Sequence, residues 1–428
     1  MKYFKLFFLI LYAYSISKPI FANEIEYKNK IYQANIKTVI LSQANNLNIR
    51  TPVIRLGTAD KLHLSFDHLQ AKNEFFQYTF LHCDANWLPS SIYNSEYLEG
   101  NLMGNIDDFQ FSTNTLVNYT HYQLYFPNSE LNFTKSGNYI LKIFRNFDEN
   151  DVIITRRFVV VDAKVSLSGN ILAATDVSYR NQKHEIDLDV DLKSFIVPNP
   201  YQDAKISIVQ NNSWSTAIYG LKPRMVNANH LNYNYEEGNL MDAGNEYRFF
   251  DIRSLRYFSQ NVEKKYRDSL VHVVLKKENT RGHLNYVLWR DFNGKRVVQN
   301  KDGIDIAADA DYALVQFNLS APHPLIYEPI YLFGEFTDWQ IKEEYKLKYN
   351  SDLKTYSCKI LLKQSYYNYL YVSKGEENLP KFTYTEGNHY QTENDYFIYF
   401  YHRNQFYNYD ECVGFLKLNS ANLGNGNR

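Results

Sequence analysis

The sequence predicts an all-β protein built of tandem immunoglobulin-like β-sandwich domains, and three observations predict it. Apolar residues recur with a two-residue period in many short runs. Turn residues separate these runs at short intervals, with no helical period between them. Large amphipathic rings, 38 Tyr and 28 Phe, supply apolar surface while mean hydropathy stays at −0.47, a composition suited to sheets and adhesive surfaces. A chain of 428 residues exceeds one ordinary core and is expected to divide into two or three domains.

Residues 1–22 carry Lys2 and Lys5, an apolar run from Leu6 to Tyr14, and Pro19-Ile20-Phe21-Ala22 ahead of Asn23-Glu24, the pattern of a signal peptide. That run is too short to span a bilayer, and no later segment is long and apolar enough, so the mature chain is expected to be exported and soluble. A transmembrane barrel would also show alternating strands. Charges on both strand faces and the long polar stretch from Asn227 to Gly244 argue against it. Removing residues 1–22 takes away Lys2, Lys5 and Lys18 and no acid, which moves the formal charge from −1 to −4 and leaves no basic footprint for nucleic acid. The three cysteines, Cys83, Cys358 and Cys412, lack metal-site spacing and allow one disulfide, expected between Cys358 and Cys412.

From residue 23 the runs Lys61–Phe66, Tyr122–Phe126, Tyr139–Phe144 and Arg157–Val161, with turns at Pro127-Asn128 and Ser136-Gly137-Asn138, predict an N-terminal sandwich over 23–163. A middle sandwich over 164–308 opens with Glu185–Leu192, where four apolar residues alternate with four acids. It continues through Lys205–Val209, Glu246–Ile252 and Leu270–Leu275, and the Asn293-Gly294 hairpin signal stands near its end. A C-terminal sandwich over 309–418 takes Ala313–Leu319, Ile330–Trp339, Lys359–Leu362, Tyr366–Val372 and Asp395–Tyr401. The polar residues 419–428 read as a flexible tail.

Phe76, Tyr78 and Phe80 alternate with Gln77, Thr79 and Leu81, which puts Cys83 at a strand end before a turn from Asp84 to Pro89. A thiol enzyme or esterase built on Cys83 would need a base and an orienting group. His82 is the one adjacent candidate, and strand neighbours point to opposite faces, so both residues are expected to be structural. The acids Asp187, Asp189 and Asp191 lack the chelating loop of a calcium site and read as a solvated face. Glu335 and Asp338 resemble a glycosidase pair in residue type only, since their spacing does not set the carboxylate separation. Gly238-Asn239 and Gly244-Asn245 open no helix and make no phosphate cradle, and no Ser-His-Asp arrangement is supported by position. No catalytic residue, metal, cofactor or small-molecule ligand is expected.

Gly334-Glu335-Phe336-Thr337-Asp338-Trp339 resembles the strand and turn of early-set immunoglobulin-like modules, which include glycogen- and starch-binding domains. Trp339, Tyr366, Tyr367 and Tyr369 are therefore the candidates for an interface or for stacking on sugar, although alternation lets only half of such tyrosines face one side.

Taken together, Leu64–Leu69, His82–Trp87, Tyr119–Tyr122, Ser136–Tyr139, Thr155–Phe158, Gln210–Trp214, Gly244–Asp251, Asp309–Tyr312, Leu362–Tyr369 and Glu386–Tyr390 resemble the plug protein family of the type IX secretion system over nearly the whole mature chain. Two departures are small: Ser365 stands where the family pattern has Gly, and Tyr247 where it has Phe. The resemblance implies a non-enzymatic periplasmic protein associated with the outer membrane. It would bind the translocon barrel of that system and seal its periplasmic opening while no cargo is engaged. The alternative is a periplasmic or surface carbohydrate-binding protein that uses the C-terminal sandwich.

Overall fold

Two facing sheets form the first sandwich of the computed structural model, which describes residues 25–422 apart from residues 71, 306, 326 and 327. The expected signal peptide lies outside the described residues. One sheet runs in the order Ile36–Gln43, Leu62–Leu69, Tyr119–Phe126, Asp108–Phe111. The other runs Lys30–Ile31, Asp148–Val161, Gly137–Arg145, Phe76–Cys83, Gly104–Asn105, with Val53–Arg55 joined parallel to Asp148–Val161. Leu64, Phe66, Tyr122 and Phe126 of the first sheet meet Tyr78, Phe80, Tyr139, Leu141 and Phe158 of the second in an aromatic core. The opposite face of that second sheet, Leu81, Cys83, Ile140, Val159 and Val161, is also apolar and packs on Val209, Phe397, Tyr399, Tyr401 and Cys412. A sheet covered on both sides has no solvated face, so Phe76–Cys83 is buried along almost its whole length.

The second sandwich pairs Ser166–Ala173, Lys183–Asp191, His230–Asn232, Met225–Asn227 and Leu240–Asp242 in one sheet. The other sheet holds Ser213–Leu221, Ala204–Gln210, Asp395–Asn404 and Tyr409–Asn419. The third holds Val262–Arg267, Val271–Leu275, Tyr312–Ser320, Thr355–Lys363 and Lys348–Asn350 against a sheet centred on Ser365–Lys374. Strand accounts for 49% and helix for 5%, and no sheet among the described residues closes into a barrel, so the all-β sandwich class is the observed one. No helix among the described residues is long and apolar enough to cross a membrane.

The divisions at 308/309 and 418/419 need correction. Asp395–Asn404, expected in the last sandwich, pairs with Ala204–Gln210, as Ile206 opposite Phe400 and Ile208 opposite Ile398 show. Phe250, Val262, Val273 and Leu275, expected in the middle sandwich, share one core with Phe317, Leu332 and Tyr369. The third sandwich is thus an insertion between Leu240–Asp242 and Asp395–Asn404 of the second. Local alternation reveals that a strand has an apolar face, whereas the partner is chosen by complementary faces far away in sequence. The Asn293-Gly294 turn forms, with φ of 52° and 79°, but it leads into Arg296–Val298 of the third sandwich and closes no second domain. Cys358 and Cys412 lie in different sandwiches and both are free, so the expected disulfide is absent. The tail is tied at its start: Ser420 Oγ accepts from Asn394 N at 2.8 Å and donates to Thr392 O at 2.9 Å.

Polar groups lock the first sandwich to the third. The Asp67 carboxylate, fully buried, accepts from Lys363 Nζ at 2.8 Å, Tyr312 OH at 2.6 Å and His121 Nδ1 at 2.6 Å. Thr38 Oγ1 lies 2.6 Å from the same Tyr312 hydroxyl, and Lys363 Nζ stands 4.0 Å above the Tyr119 ring. Burial pushes the Asp67 pKa up, and Lys363 with His121 outweighs it, so the carboxyl ends below its usual range. Asp311 caps the same joint by accepting from Leu116 N and Val117 N at 2.8 and 3.1 Å. Replacing Asp67 with Asn strands the Lys363 ammonium. Denaturant unfolding of D67N is expected to show a loss of about 3–5 kcal/mol, partly recovered in D67N/K363M, where the stranded charge is gone.

Candidate functional site

The turn after Phe76–Cys83 forms a joint, and the thiol in it is closed to solvent. Cys83 is buried, and desolvation drives its pKa far above that of a free thiol. His82 points away from it. Its Nε2 donates to Ser136 O at 3.2 Å, which leaves Nδ1 to accept from Ser90 Oγ at 2.7 Å, and burial lowers its pKa to about 4. The rest of the motif reaches into the second sandwich. Ala85 N donates to Asp410 Oδ2 at 3.0 Å, and Asn138 bridges Asp84 O at 2.9 Å and Tyr401 OH at 2.7 Å. Trp87 meets Trp214 edge to face at 4.8 Å, with the Arg157 guanidinium 4.5 Å over the Trp87 ring. Gly137, at φ +143°, lies against His82 and the Asp410 carbonyl, where an added Cβ would stand 3.0 Å from that oxygen.

Of the four residues expected to stack on sugar, Trp339, Tyr367 and Tyr369 are covered and Tyr366 is half-buried. Trp339, 6% exposed, follows a 3-10 turn, Glu335–Thr337, at the place of the expected turn, and packs with Tyr247, Tyr331 and Phe333. Tyr367 and Tyr369 belong to the third core, and their hydroxyls donate to Lys363 O at 2.7 Å and Glu278 Oε2 at 2.5 Å. Tyr366 is half-buried, stacked 5.5 Å from Phe249 on another part of the sheet. The cause is topological. Ser365–Lys374 is paired along both edges, by Arg248–Asp251 and Pro380–Lys381 on one and by Arg296–Val298 and Ile330–Phe333 on the other. Its two faces send Tyr367, Tyr369 and Tyr371 into one core and Leu370 and Val372 into another, and Tyr366 at the strand's start remains half-open. Glu335 and Asp338 likewise tie sandwiches together, with Arg50 3.3 Å from Glu335 and Arg156 3.4 Å from Asp338.

The exposed aromatic surface lies elsewhere, at the end where the first and second sandwiches meet. Phe406 and Tyr407, 86% and 50% exposed, occupy the hairpin turn between Asp395–Asn404 and Tyr409–Asn419. That turn is held to the first sandwich: Asn408 Nδ2 donates to Ser91 Oγ at 3.1 Å, and Lys135 Nζ stands 4.6 Å over the Tyr407 ring. Leu88 and Tyr93 of the first sandwich are exposed on the neighbouring loop. Two aromatics inside the polar turn Asn404-Gln405-Phe406-Tyr407-Asn408 were the available signal in the sequence, since a ring at a hairpin tip has no strand neighbour to cover it.

Residues 36–162 match the family model described as Type 9 secretion system plug protein 1st domain. The crystal structure of a hypothetical protein from Parabacteroides merdae ATCC 43184 is similar to this chain, with a TM-score of 0.88 at 30% identity over 92% of this chain and 100% of that one. No curated protein matches the chain. The fold is thus all-β of sandwich type, and the family match implies a periplasmic or envelope-associated protein. The chain belongs to the plug protein family of the Type 9 secretion system, which ties it to that system and to contacts with its components.

Two measurements check the geometry of the motif. Folded protein at pH 8 should show no fast-reacting thiol toward a disulfide reagent, with three released on unfolding, because desolvation also raises the pKa of Cys358, to about 12, and that of Cys412. His82 with its folded pKa near 4 binds its proton only when unfolded, at about 6.5. Its contribution is therefore complete above pH 6.5 and falls with acid, by roughly 2 kcal/mol between pH 7 and pH 5. In the variant H82Q the slope of unfolding free energy against pH over that window should be shallower by about one proton.

Proposed function

We propose that this chain is a periplasmic plug that binds the outer-membrane translocon barrel of the Type 9 secretion system and blocks its periplasmic opening when no cargo is engaged. The family match over residues 36–162 is the observation that carries this reading. The physical design agrees with it. An obstacle must hold its shape, and here the three sandwiches are joined by the shared apolar layer of Cys83, Val159, Phe397 and Tyr399 and by the buried Asp67 cluster. An obstacle must also be released, which favours a contact of limited apolar area with a polar rim. Leu88, Tyr93, Phe406 and Tyr407, set among Ser91, Lys135 and Asn408, form such a contact surface.

Affinity purification of the tagged chain from detergent-solubilised envelopes is the test. A very large outer-membrane barrel protein should co-elute. Replacing Leu88, Tyr93, Phe406 and Tyr407 with Ser should cut its recovery at least tenfold while leaving the melting temperature within a few degrees, as expected for exposed anchors worth about 1 kcal/mol or more each. Wild type that brings down no barrel refutes the plug. A quadruple variant that still brings it down at full yield moves the contact to another surface.

A further inference from the structure

A cleft of about 660 Å³ opens between the first and third sandwiches, walled by residues 26–39 and Arg156 on one side and by Arg296, Phe336, Lys342 and 359–363 on the other. Its volume is that of a small-molecule site, and its charged lining is mainly cationic, eight Lys and Arg against Glu26, Asp338 and Glu344. Several of the cations are matched: Lys30 pairs with Glu26, Arg156 and Lys342 share Asp338, and Lys363 is held by Asp67. The side-chain nitrogens of Lys37, Lys359 and Arg296 make no ion pair within 4.0 Å among the described residues, and the carboxylate nearest Arg296, that of Glu335, is taken by its backbone N–H at 2.6 Å and by Arg50.

Arg296 is the unusual member. It is 7% exposed, its Nη2 donates to Val39 O at 2.8 Å, and its Nε has no acceptor. Arg156, 4% exposed, makes no hydrogen bond through its Nη2, which faces Asp338 Oδ1 at the longer distance of 3.4 Å. Behind them Arg50 faces Glu335, so Arg50, Arg156, Arg296 and Lys342 stand against Glu335 and Asp338, with Glu344 the further acid on the cleft wall. Burial lowers the pKa of Arg50 and of Arg156, and the Arg296 charge adds to that in both, against the pull of Glu335 and Asp338. A desolvated guanidinium with an idle donor and an excess of like charge around it is stabilised by one kind of group, an anion with several acceptor oxygens.

We propose that this cleft is a binding site for an oxyanion, a carboxylate or phosphate group carried by a ligand, seated against Arg296 and Arg156 with half-buried Lys37 and exposed Lys359 at its mouth. The planar guanidinium offers paired N–H donors to such a group, and the two lysines attract it from solvent. The site lies between two sandwiches, so occupancy would also tighten their joint. It is independent of the aromatic rim assigned above to the translocon.

Calorimetric titration of the mature chain, exchanged into chloride buffer, with inorganic phosphate, with citrate and with a tetraglutamate peptide tests the proposal and separates the sources of the oxyanion. At least one probe should bind saturably at one site per chain and raise the melting temperature. R296M should weaken that binding at least tenfold, and K37Q/K359Q severalfold, with the free protein's melting temperature unchanged or higher in R296M because an unmatched buried charge is removed. The double lysine variant changes only residues at the mouth and keeps the test decisive should R296M fold poorly. Absence of saturable binding for all three probes overturns the site, as does binding that neither variant weakens, which would mark an adventitious ion only.

Discussion

A carboxylate taken wholly out of water must find its donors inside the protein, and Asp67 finds them on two sandwiches at once. His121 comes from its own sheet, and Tyr312 and Lys363 come from the third sandwich. Any other placement of the two bodies would leave a bare charge on each side, at a cost of several kcal/mol. The third sandwich is in turn inserted into the second, whose strand Asp395–Asn404 lies against the back of the first through Phe397, Tyr399 and Tyr401. One polar lock and one apolar layer therefore hold the three sandwiches together.

The segments that carry the family resemblance turn out to be joint residues. His82–Trp87, Asn138, Arg157 and Trp214 meet between the first and second sandwiches. Asp67, His121, Tyr312 and Lys363 meet between the first and third. Gly244 N donates to Asn388 Oδ1 at 3.0 Å and Asn245 Nδ2 to Glu386 O at 2.7 Å, so Gly244–Asp251 and Glu386–Tyr390 meet where the chain passes between the second and third. Sandwich cores tolerate many apolar substitutions of similar volume. Joints built from aimed hydrogen bonds, stacked tryptophans and a buried ion pair do not, because removing one partner leaves the other unsatisfied. The pattern recognisable in sequence is the pattern that places the sandwiches.

The motif that looked most like chemistry shows how this reads at one residue. His82 and Cys83 are adjacent, as in a thiol enzyme, yet strand alternation sends the imidazole toward Ser136 and Ser90 and the thiol into the layer shared with the second sandwich. The aromatic strand Ser365–Lys374 is the converse case. Its tyrosines suggest a surface, and Tyr367, Tyr369 and Tyr371 are interior because the strand's two faces pack into two cores. The surface that does present rings comes from loops 317 residues apart, joined by Ser91 and Asn408.

Local periodicity determined from the sequence alone the strands, the all-β class and the structural character of His82 and Cys83, since a two-residue alternation and its turn residues are properties of short segments. Kinship with the plug family was legible for a related reason, as joint residues must be spelled out individually. Tertiary structure decided which strands share a sheet, that the third sandwich interrupts the second, which tyrosines are covered, and where the Arg296 side chain is left facing a cleft without an ion pair. An alternating segment shows that one face is apolar or one residue charged. What covers that face, or answers that charge, is supplied by residues hundreds of positions away, and only the folded chain brings them together.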